Sequence, residues 1–97
     1  MADVVVTDNK DESRFEGDLD GKLAGYVEYQ RVGSTVIFPH TMVFPEYEGR
    51  GVGGAIVRHA LDRVRADGAL SVEARCPFVA AWIDKHPDYQ DLVARGA

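Results

Sequence analysis

Glu48-Gly49-Arg50-Gly51-Val52-Gly53-Gly54 is the stretch that decides how this chain reads. It follows an apolar run, Thr35-Val36-Ile37-Phe38 through Met42-Val43-Phe44, and precedes a long amphipathic segment. A strand, a glycine-rich turn and a helix in that order gather bare backbone N–H groups at the positive end of a helix, where a phosphate can dock. Glycine suits such a turn because a side chain would block close approach, and because some turn positions want positive φ.

Downstream of the turn the apolar residues take a helical period. Val52, Ile56, Ala60 and Val64 recur every four residues, with Val57 and Leu61 widening the stripe. The pattern predicts a helix from about Gly51 to Asp67, stopped by Gly68. Ala69 to Ala74 reads as a short strand, so strand, helix and strand form a crossover between parallel neighbours. Pro77 opens a second helix at its preferred first position, with Phe78, Val79, Trp82 and Ile83 as its apolar face and Pro87 as its end. Trp82 is expected in the core, and a last helical turn over Asp88 to Ala94.

Upstream the period is two. Ser13 to Gly17 alternates, Asp20-Gly21 is a hairpin turn, and Lys22 to Gln30 follows with Leu23, Gly25, Val27 and Tyr29 on one face. Val32-Gly33-Ser34 is a second turn. Thr35 to Phe44 reads as a third strand, apolar enough to be central and buried on both sides, with an edge, bulge or break at Pro39. Val4-Val5-Val6 is a short additional strand.

The 97 residues are read as one domain, 1–97. No apolar run approaches the roughly 20 residues of a membrane span, and Met1-Ala2-Asp3 does not read as the start of a signal peptide. The single cysteine, Cys76, excludes an internal disulfide framework and suits a reducing, cytoplasmic setting. A net charge of -5 argues against nucleic acid as a partner. Arg50, Arg58, Arg63 and Arg65 nevertheless cluster in or beside the glycine turn, which fits a small anionic ligand. For Arg58, Arg63 and Arg65 the plainer reading is a solvated face, with Arg58 and Asp62 as an i,i+4 pair. Arg50, inside the turn, is the exception.

Three ligand chemistries use such a turn. Gly49, Gly51 and Gly54 satisfy G-x-G-x-x-G, but a dinucleotide fingerprint belongs in the first turn of a long alternating α/β domain, and here a β-meander precedes it. A nucleotide P-loop needs Gly-Lys followed by Ser or Thr, and Gly53-Gly54-Ala55 supplies neither. A pyrophosphate cradle for coenzyme A fits the order meander, glycine turn, helix, strand, helix. The chain resembles the GCN5-related N-acetyltransferases, and within them a compact single-domain subgroup. His40 through Gly54, Cys76-Pro77-Phe78-Val79-Ala80-Ala81-Trp82-Ile83 and His86-Pro87-Asp88-Tyr89 carry the likeness, which covers about 14 to 93.

The resemblance implies an α+β fold with a mixed central sheet and acetyl-CoA as cofactor, bound by Gly49, Arg50, Gly51, Val52, Gly53 and Gly54. It also implies a strand end, Val43 and Phe44, whose backbone pairs with the pantetheine arm. The family motif Gln/Arg-x-x-Gly-x-Gly/Ala aligns on Glu48 to Gly53, so Glu48 stands where Gln or Arg is usual. A carboxylate there cannot donate to a phosphate and would repel it, and Arg50 is placed to supply the charge.

By the same resemblance Cys76 and His40 are catalytic candidates. Cys76 stands at a helix N-terminus, where the dipole favours the thiolate. It reads either as a nucleophile or proton-transfer group or as a small residue packed against the cofactor. His40 is suited to take a proton from the attacking amine, and Tyr89 to donate to the leaving thiolate. No metal site is expected.

The implied activity is acetyl transfer from acetyl-CoA to a primary amine, of a protein or a small molecule, on an open acceptor site that Glu46, Glu48 and Asp88 would make attractive to a cation. The alternative is a non-catalytic acyl-CoA-binding or protein-interaction module of the same fold. The expected state is a monomer or weak homodimer, without nucleic acid or membrane.

Overall fold

A computed structural model describes residues 3–94. Its strands are β1 (Val5–Asn9), β2 (Arg14–Leu19), β3 (Lys22–Glu28), β4 (Gln30–Val32), β5 (Thr35–Phe38), β6 (Thr41–Val43) and β7 (Ser71–Ala74). The helices are α1 (Val52–Asp67), α2 (Pro77–Asp84) and α3 (Gln90–Ala94), with single 3₁₀ turns at Pro45–Tyr47 and Pro87–Tyr89. The opening Met1-Ala2 and residues 95–97, read from the sequence as parts of the one domain, lie outside the described residues.

The meander pairs in the order β1-β2-β3-β6, antiparallel throughout, and a second sheet runs β4-β5-β7, with β5 and β7 parallel. One side of the first sheet, carrying Phe15 and Val27, receives α1. Ile56, Val57 and Leu61 of α1 join Val27, Phe38, Val79 and Leu92 in a dry centre. Removing a side chain of this size from water contributes about 1.5–3 kcal/mol, so α1 is held chiefly by its buried stripe. No helix among the described residues is long and apolar enough to cross a membrane.

Two strands expected to be continuous are each broken in two. Thr35 to Phe44 divides at Pro39, which has no N–H to give to a ladder. Val36, Ile37 and Phe38 are buried between β4 and β7, whereas Thr41 to Val43 leave that sheet to pair with β3 and are only half-buried. Lys22 to Gln30 likewise ends as β3 at Glu28, and Gln30 begins β4. The two breaks face each other, bridged by the Glu28 N–H donating to the His40 carbonyl at 2.9 Å. The Val4-Val5-Val6 strand begins one residue later than read and runs on to Asn9. Trp82 is half-buried against the edge of the core and not within it.

The breaks open a notch. On the other flank of β5 the last link to the β7 segment is the Cys76 N–H donating to the Phe38 carbonyl at 2.9 Å. Beyond it β6 turns toward β3 while the chain after Cys76 turns into α2. The strand edge of β6 therefore faces a gap.

Candidate active site

The six residues Gly49 to Gly54 form the start of α1 and the turn before it. Gly49 and Gly51 have φ of +81° and +76°, and a Cβ at either would meet nothing within 4 Å. Their glycine requirement is conformational, since a left-handed backbone costs an L-residue about 1–2 kcal/mol. At Gly53 the requirement is space: a Cβ would stand 2.8 Å from Phe78 Cζ and 3.3 Å from Val43 Cγ2.

Gly51 is the N-cap residue of α1 with no side-chain cap, and the first turn carries no acidic residue. The amides of Gly51, Val52, Gly53 and Gly54 find no acceptor among the described residues. A helix start normally satisfies these donors with a Ser, Thr, Asp or Asn cap worth about 1 kcal/mol. Here they open onto a cavity of about 450 Å³ walled by Thr41, Met42, Val43, Tyr47, Glu48, Gly49, Gly51 to Gly54 and Phe78. Of the eight expected cofactor-binding residues, Val43, Gly49, Gly51, Val52, Gly53 and Gly54 line it; Arg50 is exposed outside its wall.

The opposite wall is the edge of β6. The Phe44 N–H donates to the Ala24 carbonyl, and the Glu28 N–H to the His40 carbonyl, both at 2.9 Å. Even-numbered residues therefore bond toward β3, and alternation turns the N–H and C=O of Thr41 and Val43 the other way, into the gap. Phe44, expected to share this role with Val43, is committed within the chain, because its carbonyl also accepts the Tyr47 N–H at 2.9 Å.

Cys76 is 5% exposed and donates its thiol hydrogen to Thr41 Oγ1 at 3.3 Å. Thr41 in turn lines the cavity. The thiol thus sits one side chain behind the wall. With its oxygen accepting from Cys76, the Thr41 hydroxyl is left to donate with its own hydrogen. Thr41 was passed over in the sequence because a threonine in an apolar strand carries no signal; its register opposite Val27 and its tie to Cys76 appear only in three dimensions.

His40 and Cys76 are not a pair. Thr41 and Val43 project to the side of the sheet that receives α1. His40 is exposed on the opposite side, its ring 6.4 Å from that of Tyr26, which also meets Phe44 at 6.4 Å.

Two other expectations are corrected by the packing of the last segment along α1. Tyr89 is buried, donates to Asp62 Oδ1 at 2.6 Å, and lies outside the wall of the cavity. That bond, with burial second, raises its pKa. Asp62 accepts from Tyr89 and makes no ion pair with Arg58; the guanidinium instead donates to the Tyr89 hydroxyl at 3.4 Å and lies 5.2 Å from the Trp82 ring centre. Arg65 is the helix arginine that does pair, with Asp91, while its neighbour Asp88 gives Arg65 only a backbone carbonyl. Asp88 does not line the cavity, and Glu48 is the acidic residue that borders it.

A family model described as GCN5-related N-acetyl-transferase matches residues 14–92. No curated protein matches the sequence. Among solved structures, a GCN5-like protein from Staphylococcus aureus superposes with a TM-score of 0.71 at 24% identity, covering 95% of this chain and 89% of its own. The ribosomal-protein-S18-alanine N-acetyltransferase of Escherichia coli gives 0.67 at 16% identity over 88% of this chain and 76% of that one. A Brucella melitensis acetyltransferase in complex with acetyl-CoA gives 0.55 at 21% identity over 63% and 44%. The structural likenesses show the fold, an α+β arrangement with an antiparallel meander followed by helices. With the family match spanning most of its length, the chain belongs to the GCN5-related N-acetyltransferase family.

Proposed function

We propose that the protein is an acetyl-CoA-dependent N-acetyltransferase that serves a primary amine, of a protein or a small molecule, at an open acceptor site. The observation that carries this reading is the row of four unpartnered amides, Gly51 to Gly54, facing the outward-turned edge of β6 across one cavity. A pyrophosphate suits the first wall. An amide-bearing arm, which behaves as an added strand, suits the second. Open space around Gly49 and Gly51, where a Cβ would meet nothing within 4 Å, lets a ligand approach the backbone of the turn and supports the fit. The donor bound to the Brucella melitensis neighbour supports the same donor here.

Acetyl-CoA supplies an acetyl group activated as a thioester. The chain's part is to bind, orient and move protons. Gly51 to Gly54 and the neighbouring Gly49 hold the pyrophosphate, and Arg50 adds positive charge at the turn. Thr41 and Val43 offer backbone N–H groups in the gap, the type of donor that stabilises a developing oxyanion. His40 would take the amine's proton, a role supported by its exposure on the uncovered side of the sheet with no hydrogen-bond partner for its ring among the described residues. Cys76 serves by fixing Thr41, a role its burial favours over attack on the acetyl group. The Escherichia coli neighbour's name gives an alanine of ribosomal protein S18 as its acceptor; an amine on a protein fits an uncovered face equally well here. The free thiol of Cys76 suits the reducing cytoplasm.

Glu48 at the cavity rim favours one other reading, a module that binds acyl-CoA without turning it over. The test is release of coenzyme A thiol from acetyl-CoA in the presence of polyamines, lysine and peptides with free N termini. Amine-dependent release that disappears in Gly51→Glu, Gly53→Glu supports the transferase. Saturable binding with no release for any amine supports the module.

A further inference from the structure

Trp82, Arg58 and Tyr89 form an aromatic and cationic flank that adjoins the cavity without being part of its wall. Resting on the reading of that cavity as a coenzyme A site, we propose that Arg58 binds the 3′-phosphate of coenzyme A, so that the protein selects coenzyme A over its 3′-dephospho form.

The first support is position. Gly54 and Arg58 are four residues apart on α1, one turn and about 6 Å along the helix. The Trp82 indole bridges the interval: a Cβ at Gly54 would lie 3.5 Å from its Nε1, and the Arg58 guanidinium carbon lies 5.2 Å from its ring centre. In coenzyme A the pyrophosphate joins the pantetheine arm to the 5′ carbon of a ribose that carries the 3′-phosphate. With the arm along β6 and the pyrophosphate on Gly51 to Gly54, the ribose leaves the cradle on the side away from β6. Gly54 is the last of the four cradle residues, the one nearest Arg58 along α1, and Trp82 stands beside it.

Charge is the second support. Arg65 and Arg75 are ion-paired, with Asp91 and Glu73, and Arg14 with Glu16. Arg58 has no carboxylate within ion-pair distance among the described residues. Its one acidic neighbour on the same helix face, Asp62, accepts from the Tyr89 hydroxyl and is not ion-paired with Arg58. The guanidinium is instead steadied by two π faces, at 5.2 Å and 5.7 Å, and by the Tyr89 oxygen. A cation held over rings keeps its charge and most of its N–H donors for a phosphate, which it can grip with two parallel bonds.

The experiment is calorimetric titration of the full chain with coenzyme A and with 3′-dephospho-coenzyme A. The variants are Arg58→Met, Arg58→Lys, Arg50→Met and Arg63→Met, the last removing the same charge beside Asp8 and Tyr29. The wild type is expected to bind coenzyme A about tenfold tighter than the dephospho form, the usual size of a charge-assisted contact. Arg58→Met brings the two affinities within about twofold, Arg58→Lys keeps part of the preference, and Arg50→Met and Arg63→Met keep the ratio. Equal binding of the two ligands by the wild type overturns the proposal. So does an unchanged ratio in Arg58→Met, or a ratio that collapses in Arg50→Met instead. If neither ligand binds at all, the coenzyme A reading of the cavity falls and this proposal with it. That result is distinct from ligands that bind without discrimination.

Discussion

Replacing Gly51, Gly53 and Gly54 singly by alanine separates what each glycine does. Gly54 has ordinary helical backbone, and its added Cβ would touch Trp82 at 3.5 and 3.8 Å, a normal contact. Alanine there gains helix propensity, up to about 1 kcal/mol, which in a domain of this size raises Tm by roughly 4–8 °C. Gly51 is left-handed at φ 76° and ψ 15°. Alanine there costs about 1–2 kcal/mol, so Tm falls by a similar amount. Gly53 lies between these. The same propensity gain is set against contacts of 2.8 Å with Phe78 and 3.3 Å with Val43. The Phe78 ring is 44% exposed and can swing aside, so the net change stays within about 1 kcal/mol of zero. Binding should not follow stability. Gly53→Ala narrows the space between α1 and β6 and should lose most of its affinity for acetyl-CoA while remaining as stable as the wild type. Thermal unfolding by circular dichroism and calorimetric titration read the two quantities. A Gly51→Ala protein as stable as Gly54→Ala would refute the conformational argument, and a folded Gly53→Ala protein with wild-type affinity would refute the steric one.

If Cys76 works by holding Thr41, Cys76→Ser keeps acetyl transfer within about tenfold of wild type, the loss expected from weakening one hydrogen bond; trapping of an acetyl group on Cys76 in a quenched reaction would show a nucleophile instead. Because that thiol is 5% exposed, it should react with a thiol reagent far more slowly in the folded chain than in urea; equal rates would contradict its burial. Glu48→Gln removes a negative charge from the cavity rim and should tighten acetyl-CoA severalfold at low salt, less at high salt; unchanged affinity would mean the carboxylate points away. Burial, with the bond to Asp8 second, pushes the Tyr29 pKa up to about 12. A proton held more tightly folded than unfolded stabilises below the unfolded value of about 10 and is lost as pH rises from there toward 12. Urea midpoints should therefore fall across that window, and less steeply in Tyr29→Phe; equal slopes would sink the assignment.

The fold was readable wherever one residue type forces one backbone. Gly51 and Gly68 bracket α1 as left-handed caps at φ 76° and 80°, and Pro77 opens α2. The stripe from Val52 to Val64 is the face α1 buries. Pro39 announced a discontinuity, but the pattern of apolar residues on either side could not say that the two halves join different sheets. That depends on β7, which pairs with β5 and stops at Ala74, far along the chain.

The site divides in the same way. The glycines could be picked out because their chemistry is local. Thr41 could not, because its meaning comes from the parity of the ladder and from a thiol 35 positions away. Helical spacing pairs Arg58 with Asp62, but the Tyr89 hydroxyl, from another segment, stands between them, accepting from one and donating to the other. His40 and Cys76, each beside the end of a different strand, are parted because alternation turns His40 to the face opposite Thr41, the residue that Cys76 meets.

The measurement that bears most directly on the central claim is a ¹⁵N–¹H NMR titration of the whole chain with acetyl-CoA, following every backbone amide. Saturable shifts should be largest at Gly51, Val52, Gly53 and Gly54 on one wall and at Thr41 and Val43 on the other, with Phe44, whose N–H is bonded to Ala24, moving less. Saturable shifts confined to another surface, or none at millimolar ligand, would contradict a coenzyme A site between the glycine turn and β6.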